Sequence, residues 1–500
     1  CGSSEVAPKS KTPRWKKFYD QEGELQQVAV YRYYCRNEEE AQDAVQDALL
    51  LAWRHVRSLR NPDAWDAWLH RLTVRACYKV ANKEKRRTEV EQHVTLDAAS
   101  AVTRDHSAEL AERDWVVVGS DVATMLQRGY RRVDPDFPVF RHPVTGEEYA
   151  LARTDRKTAA GYHGFSFNTS PDVTIEEDLR RRDLTINAMA RDGDGRLVDP
   201  YNGTADLEAR ILRHVSEAFA EDPVRILRVA KFAARFHERG FRIADETLDL
   251  MRAMVANGEV DALVPDRVCQ ETEAALRRPS SRRFFETLRE CGALARIYPE
   301  VDALFGVPQP RRWHPEIDTG LHVMMVLDQA ERLSPSGAIR FAALVHDLGK
   351  GTTRLADLPS HPGHERRGKK LINAIGDRMP LPRACRDLGL LVAEYHTHCH
   401  RAFELRDDTV VRLFEKTDAF RRPERFELFL LACEADARGR TGFERRDYRQ
   451  AAHLRGAFAA AAAVDAGAIA SEHEKKKIPE AIRMARVAAV REMRARDQSP

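Results

Sequence analysis

Four residues in the C-terminal half combine the two donor types that hold a divalent metal. His322, the adjacent pair His346-Asp347 and Asp436 supply imidazoles and carboxylates. Such a set can bind an ion that activates water and polarises a phosphoryl oxygen. His361, His364 and His396 are further candidates, as extra ligands or substrate contacts. Donor chemistry alone does not choose among nickel, cobalt, manganese and magnesium. A second group lies upstream in "RRRDLTINAMA", where Asp183 and Asn187 stand four residues apart. On a helix that spacing puts both on one face, able to hold one ribose between them. In "EDPVRILRVAKFAARF", Asp222, Arg225 and Arg228 recur every third residue, opposite the apolar Ile226, Leu227, Val229, Ala230 and Phe232. A carboxylate beside a guanidinium can pair with the edge of a base and so choose it.

A third group is incomplete. Two-metal transfer of a nucleotidyl group needs carboxylates presented together, and an extended D-x-D string presents two on one face. The chain offers Glu112-Arg113-Asp114, with Glu148 in "EEYALAR" as a candidate third carboxylate. The helix formers of "SAELAER" oppose an extended Glu112 and place it at the end of the preceding segment. A carboxylate displaced by about 1 Å can cost roughly 100-fold in rate.

The elements that must carry these groups follow from pattern. "DWVVVG" is valine-rich and reads as a buried strand, and "HPVTGEEYALART" as a turn and a second strand. Residues 176–190 read as a helix with acidic residues at its start, and Pro223 takes the first position of the next helix. His322 and His346-Asp347 end up on two apolar helical segments. Further upstream, Ala41, Ala44, Val45, Ala48, Leu49 and Ala52 repeat at helical spacing, and Asn61-Pro62-Asp63 turns the chain into a second helix with a basic end at Lys83, Lys85, Arg86 and Arg87.

Composition sets the outer limits. With 500 residues, 43% hydrophobic and 32% charged, the chain has the make-up of a soluble globular protein of several domains. A net charge of +3 requires any nucleic-acid partner to be held by local basic patches. Eight cysteines without a C-x-x-C pair exclude a zinc ribbon and point to reduced thiols. No apolar run approaches the roughly 20 residues of a spanning helix, so a cytoplasmic protein without a membrane partner is expected. Cys1 in "CGSSEVAPKSKTP" stands where a lipid-modified cysteine would, but the favoured reading is a fragment or misassembled gene start followed by a disordered polar tail.

From Asp114 onward the order of these strings resembles class II tRNA nucleotidyltransferases, the bacterial CCA-adding enzymes that carry an HD domain. The resemblance implies an α+β, mostly helical protein: a truncated, polymerase beta-like nucleotidyltransferase head, a helical neck and body, and an all-α HD domain. It implies that Arg182 contacts the triphosphate, that Asp183 and Asn187 take the ribose, that Asp222 and Arg225 read the base, and that Arg228 and Lys231 help bind the nucleotide. Lys231 stands where the family has arginine, which removes a bidentate phosphate contact. Implied partners are tRNA, CTP and ATP, and implied cofactors are Mg2+ at Asp114 and a divalent metal such as Ni2+ at His322, His346, Asp347 and Asp436. The HD domain brings with it 2′,3′-cyclic phosphodiesterase, 2′-nucleotidase and phosphatase activity.

Residues 28–112 resemble instead region 2 of extracytoplasmic-function sigma factors, through "AQDAVQDALLLAWR" and "AWLHRLTVRACYKVANKEKRR". That resemblance implies contact with RNA polymerase or DNA. The family's second, helix-turn-helix region is absent, as is the G-G-x-V-R-D phosphate loop of the nucleotidyltransferases. The expected layout is therefore a tail (1–27), a sigma-like helical segment and linker (28–112), a truncated head (113–219), a helical neck and body (220–310), an HD domain (311–440) and a helical tail (441–500). The expectation for the head is a sheet short of one strand and impaired nucleotidyl transfer. The competing readings are a regulatory RNA polymerase or DNA binding protein, and a gene fusion at the junction.

Overall fold

A computed structural model describes residues 93–96, 114–133, 137–157 and 165–497. The expected sigma-like helices up to Arg87, with their basic end, and Glu112 lie outside the described residues. The chain divides into two compact units.

The first unit is built on a seven-stranded sheet. Its strands are β1 (His93–Leu96), β2 (Asp114–Val117), β3 (Arg131–Arg132), β4 (Val139–Arg141), β5 (Glu148–Leu151), β6 (Ala190–Arg191) and β7 (Leu197–Val198), in the order β3-β4-β5-β2-β1-β6-β7. The valine-rich β2 runs parallel to β5, with Trp115 opposite Tyr149 and Val117 opposite Leu151. Helix α1 (Val122–Gln127) follows β2, its first turn fixed by the Asp121 carboxylate, which accepts from the Thr124 amide at 2.7 Å. Val117, Met125, Phe140, Tyr149 and Leu151 form the unit's core.

The expected gap in this sheet is filled. β1 pairs antiparallel with β2 over four residues, Leu96 opposite Asp114, and Thr95 of β1 is also paired with Arg191 of β6. A stretch read as linker thus supplies an internal strand. Its backbone groups answer the otherwise unpaired edge of β2, which is the physical demand that a missing strand creates.

The second unit is helical. Helices α2 (Val224–Phe236), α3 (Pro265–Leu276) and α4 (Ser281–Glu290) pack on one another, followed by α5 (Thr319–Leu333), α6 (Gly337–Val345), α7 (His364–Arg378), α8 (Arg383–His400), α9 (Pro423–Arg438), α10 (Arg449–Ala462) and α11 (Ile478–Asp497). α6 is apolar apart from Arg340 and buried along nearly its whole length, so it forms the centre against which α5, α8 and α9 pack. Pro223 caps α2 from outside rather than opening it, a shift of one residue from the expectation. The helix expected over 176–190 is broken: Ile175–Arg180 is helical, Thr185–Asn187 is a single 3-10 turn, and Ala190 enters β6. No single helix among the described residues is long and apolar enough to cross a membrane.

Candidate nucleotide site and metal centre

Asp183 is buried although it precedes the 3-10 turn rather than lying on a helix. The turn nevertheless brings Asn187 back to it, as a longer helix would. One Asp183 oxygen accepts from the Leu184 amide at 2.9 Å and from Asn187 Nδ2 at 3.0 Å, and the other accepts from Arg228 Nε at 2.6 Å. Burial favours the neutral acid, but the Arg228 guanidinium and these donors outweigh it and hold the carboxyl below its usual range. Asp183 in turn raises Arg228. The two sequence strings therefore meet in one cluster, and Arg228 is its cation.

The other residues of α2 are placed differently. Asp222 accepts from the Val224 amide at 2.9 Å and so secures the first turn of α2. Arg225 does not share an open face with Arg228. It is buried, with its guanidinium donating to the carbonyls of Ala218 and Arg181, each at 2.5 Å. Lys231 is held by Glu271 at 2.6 Å. In the sheet unit, Glu148 is exposed and paired with Arg141 at 2.6 Å. The β2–β5 register sets the backbones of Asp114 and Glu148 level at the start of adjacent parallel strands.

The metal-type residues converge from five elements. His322 lies on α5, whose first turn is fixed by Asp318 accepting from the Leu321 amide at 2.8 Å. Its Nδ1 faces the Gly439 carbonyl at 3.0 Å and Glu316 Oε1 at 3.1 Å. That close approach requires glycine, because a Cβ on residue 439 would sit 2.7 Å from the Val326 backbone. His346 ends α6 and donates from Nδ1 to the Ala343 carbonyl at 2.8 Å, which turns Nε2 inward. Nε2 of His346 and Oδ1 of Asp347 are buried, and neither makes a well-aligned hydrogen bond. Gly349 stands two residues after Asp347, and a Cβ there would collide with the His364 carbonyl, so only glycine lets this segment lie against the start of α7.

Besides His314, Glu316 and His322, two donor triads result. His322 Nε2 and His346 Nε2 stand 3.1 and 3.8 Å from Asp436 Oδ1. Asp347 Oδ1 stands 3.4 Å from His364 Nε2 and 3.7 Å from His396 Nε2. The second oxygen of Asp347 lies 3.1 Å from His346 Nε2 and 2.7 Å from Lys350 Nζ, so this carboxylate reaches both triads. Of the three additional histidines, His364 and His396 join the site. His361 does not: it is bound to Thr353 and to the Pro308 carbonyl.

The electrostatics of the cluster favour positive charge. Burial opposes charge on Asp347 and Asp436, yet Lys350 and His346 hold the first well below the usual carboxylate range, and His400 and His346 the second. Burial would lower His346, but the two carboxylates outweigh it and raise it. Two buried carboxylates thus draw positive charge onto an inward-facing Nε2, which a bound metal would supply in place of a proton. Burial drives His396 down to about 3, leaving it a neutral donor. Orphaned buried atoms and a nitrogen-oxygen donor set both fit a divalent ion.

Sequence reasoning missed several participants. His400 meets Asp436 Oδ2 at 2.5 Å and is backed by Tyr448 OH at 2.8 Å. Its position four residues after His396 on α8 was a readable signal. Glu316, buried beneath His314 and His322, orients His322 as a carboxylate behind a metal-binding imidazole does. No local spacing marks it.

Comparison with known proteins gives four family matches. The Poly A polymerase head domain matches residues 119–213, the probable RNA and SrmB-binding site of polymerase A matches 240–305, the HD domain matches 319–423, and Sigma-70 region 2 matches 25–87. A "Multifunctional CCA protein" of Thioalkalivibrio sulfidiphilus is 64% identical over 385 residues, 77% of this chain and 94% of that protein. One of the same name from Alkalilimnicola ehrlichii is 58% identical over 76% of this chain and 93% of its own. Among solved structures, a CCA-adding enzyme with CTP superposes with a TM-score of 0.55 at 18% identity, covering 82% of this chain and 91% of that one. The Thermotoga maritima CCA-adding enzyme complexed with tRNA gives 0.53 at 18% identity, covering 84% and 96%.

Proposed function

The chain belongs to the multifunctional CCA protein family, and from that premise we propose that it adds C and A to the 3′ end of tRNA from CTP and ATP and hydrolyses phosphoesters at a separate metal centre. The observation that carries the reading is the 64% identity over 385 residues, 77% of this chain and 94% of a relative of that name. Arg182, Asp183, Asn187 and Arg228 would hold triphosphate and ribose. Asp222 and Arg225 would read the base after exchanging their present backbone partners for its edge. Asp114, with Glu148 level on the neighbouring strand and Glu112 upstream, would carry Mg2+.

The HD-domain centre is read as a 2′,3′-cyclic phosphodiesterase, 2′-nucleotidase and phosphatase. His322, His346 and Asp436, with Asp347, His364 and His396, would hold one or two divalent ions, Ni2+ among them. Such an ion supplies an activated water and a polarised phosphoryl oxygen. The protein's own contribution is orientation: Ala343, Gly439 and Glu316 fix the two imidazoles, and Lys350 places a positive charge beside Asp347. A cytoplasmic location accords with tRNA as substrate.

Without the G-G-x-V-R-D loop, nucleotide addition by this chain is expected to be weak. Incubation with tRNA lacking its 3′ CCA and labelled CTP or ATP tests this. Replacing the residues before Asp114 with a start that carries G-G-x-V-R-D and D-x-D should restore addition. Full activity in the unaltered chain would overturn the impairment, and none in the repaired chain would overturn the transferase reading. A partnership with RNA polymerase has only the Sigma-70 region 2 match in its favour.

A further inference from the structure

Gln309 stands between two prolines in "GVPQP" and is 2% exposed. Pro310 confines Gln309 to extended backbone and Pro308 does the same to Val307, before any tertiary contact forms. Hydrogen bonds then pin the segment to the start of α5. The Gln309 amide donates to the Ile317 carbonyl at 2.7 Å, and the amides of Thr319 and Gly320 donate to the carbonyls of Val307 and Leu304, each at 3.0 Å. Ile317 accepts that bond from a left-handed backbone, φ 61°, which strains a β-branched residue and persists only where its surroundings enforce it. On the other side the Pro308 carbonyl accepts from His361 Nε2 at 3.1 Å. Little freedom is left to the Gln309 backbone.

The side chain is joined to the metal centre through Lys350. That residue, buried in the 3-10 turn Leu348–Thr352, donates from Nζ to Gln309 Oε1 at 2.6 Å and to Asp347 Oδ2 at 2.7 Å. An ammonium only donates, so this contact identifies the amide oxygen and makes Nε2 the opposite end. Gln309 Nε2 is buried and has no acceptor among the described residues. A buried donor left without an acceptor costs about 1–3 kcal/mol. Holding Lys350 needs only an oxygen, which a glutamate would supply with the better charge. What glutamine adds is the pair of N–H groups on Nε2. The fold gives them no partner, and they sit on an amide separated by one ammonium from the carboxylate that reaches both donor triads.

We propose that Gln309 is a phosphoryl-oxygen donor of the metal centre: Nε2 hydrogen-bonds a non-bridging oxygen of the phosphoester, while Oε1 holds Lys350 beside Asp347. The inference rests on the phosphohydrolase reading and adds to that site a residue that touches the substrate. In the reaction the oxygen of water bonds to phosphorus and an ester P–O bond breaks. The released ester oxygen takes a proton from that water and leaves as a hydroxyl. Negative charge on the non-bridging oxygens is then met by a donor already in place, which needs no reorganisation at the moment of reaction. Being neutral, the amide does this without repelling a divalent ion held by the same centre.

The test uses the full chain, chelated and reloaded with Ni2+ or Mg2+, and compares it with Gln309→Glu and Gln309→Met. Glutamate keeps an oxygen for Lys350 but offers no donor; methionine offers neither. Both variants should lose about 100- to 1,000-fold in kcat on 2′,3′-cyclic AMP, as for removal of one oxyanion donor. Calorimetry on the loaded proteins should show both binding inorganic phosphate at least about fivefold more weakly, the equivalent of one hydrogen bond. Metal affinity of Gln309→Met should stay within about threefold, because no ligand is removed. A Gln309→Glu protein that hydrolyses cyclic AMP and binds phosphate as the unaltered chain does overturns the donor role and reduces Gln309 to a prop for Lys350. Equal losses of metal affinity and activity in Gln309→Met overturn it as well, since the residue would then act on the ion. If neither variant folds, a crystal of the unaltered, loaded protein with orthovanadate decides. Nε2 within about 3.2 Å of a vanadate oxygen supports the proposal; vanadate bound elsewhere, or not bound, refutes it. If the unaltered chain hydrolyses nothing with any metal, the phosphohydrolase reading fails by itself. Phosphate calorimetry then judges the donor alone: weaker binding in both variants sustains it, and equal or absent binding overturns it.

Discussion

Replacing Arg228 by methionine isolates the interaction that joins the two nucleotide-site strings. The pair separates by 2.6 Å, and Asp183 is buried while the Arg228 side chain is 40% exposed. At a charge separation of about 4 Å and an effective dielectric of about 20, the attraction is about 4 kcal/mol. Solvent at the exposed guanidinium screens it. The Leu184 and Asn187 donors remain on Asp183, so the loss should fall below the ~3–5 kcal/mol of a fully orphaned buried charge. About 2–3 kcal/mol is expected at pH 7. The sign with pH follows from the depressed Asp183 pKa. Its stabilising contribution is complete above the unfolded value of about 3.9 and is lost as pH falls through the lower folded value. A double-mutant cycle of Asp183→Asn and Arg228→Met, read from urea unfolding of the full chain, should give a constant coupling from pH 5 to 8 that shrinks below pH 4. A coupling under about 0.5 kcal/mol at pH 7, or one indifferent to pH, would refute the buried pair.

Other expectations concern the metal centre. His346→Ala should abolish metal-dependent hydrolysis of 2′,3′-cyclic AMP, whereas Asp114→Ala should leave hydrolysis intact and remove nucleotide addition; assays of both reactions on both variants check the independence of the sites. Glu316→Gln should weaken metal binding about 10- to 100-fold, by calorimetry on the chelated protein, because His322 loses a charged acceptor. Gly439→Ala should destabilise the HD domain by at least ~1–3 kcal/mol through overpacking on Val326, visible as a lower melting temperature with and without metal. Metal affinity should fall as pH drops through the raised His346 value, which lies above the ordinary imidazole value of about 6.5, since that ligand must be deprotonated to bind, and a pH series of metal titrations measures the slope.

The candidate donors, the apolar helices that carry them and the strings from Asp114 onward were legible in the sequence, because helical periodicity and donor chemistry are written within a few neighbouring residues. The same locality explains what could be misread. Asp183 and Asn187 do meet, but by a 3-10 turn; Asp222 accepts from the first amide of α2; Arg225 turns its guanidinium onto two carbonyls, one of them forty-four residues upstream. The linker strand β1 was hidden because "HVTL" has no partner until β2 and β6 offer their edges. Glu316 and His400 entered the site through contacts with residues brought near only by packing of α5, α8 and α9. Spacing determines which side chains share a face. Which faces then meet, and how a carboxylate such as Asp347 divides its two oxygens, is decided only when distant helices close on one core and every buried charge must find a partner.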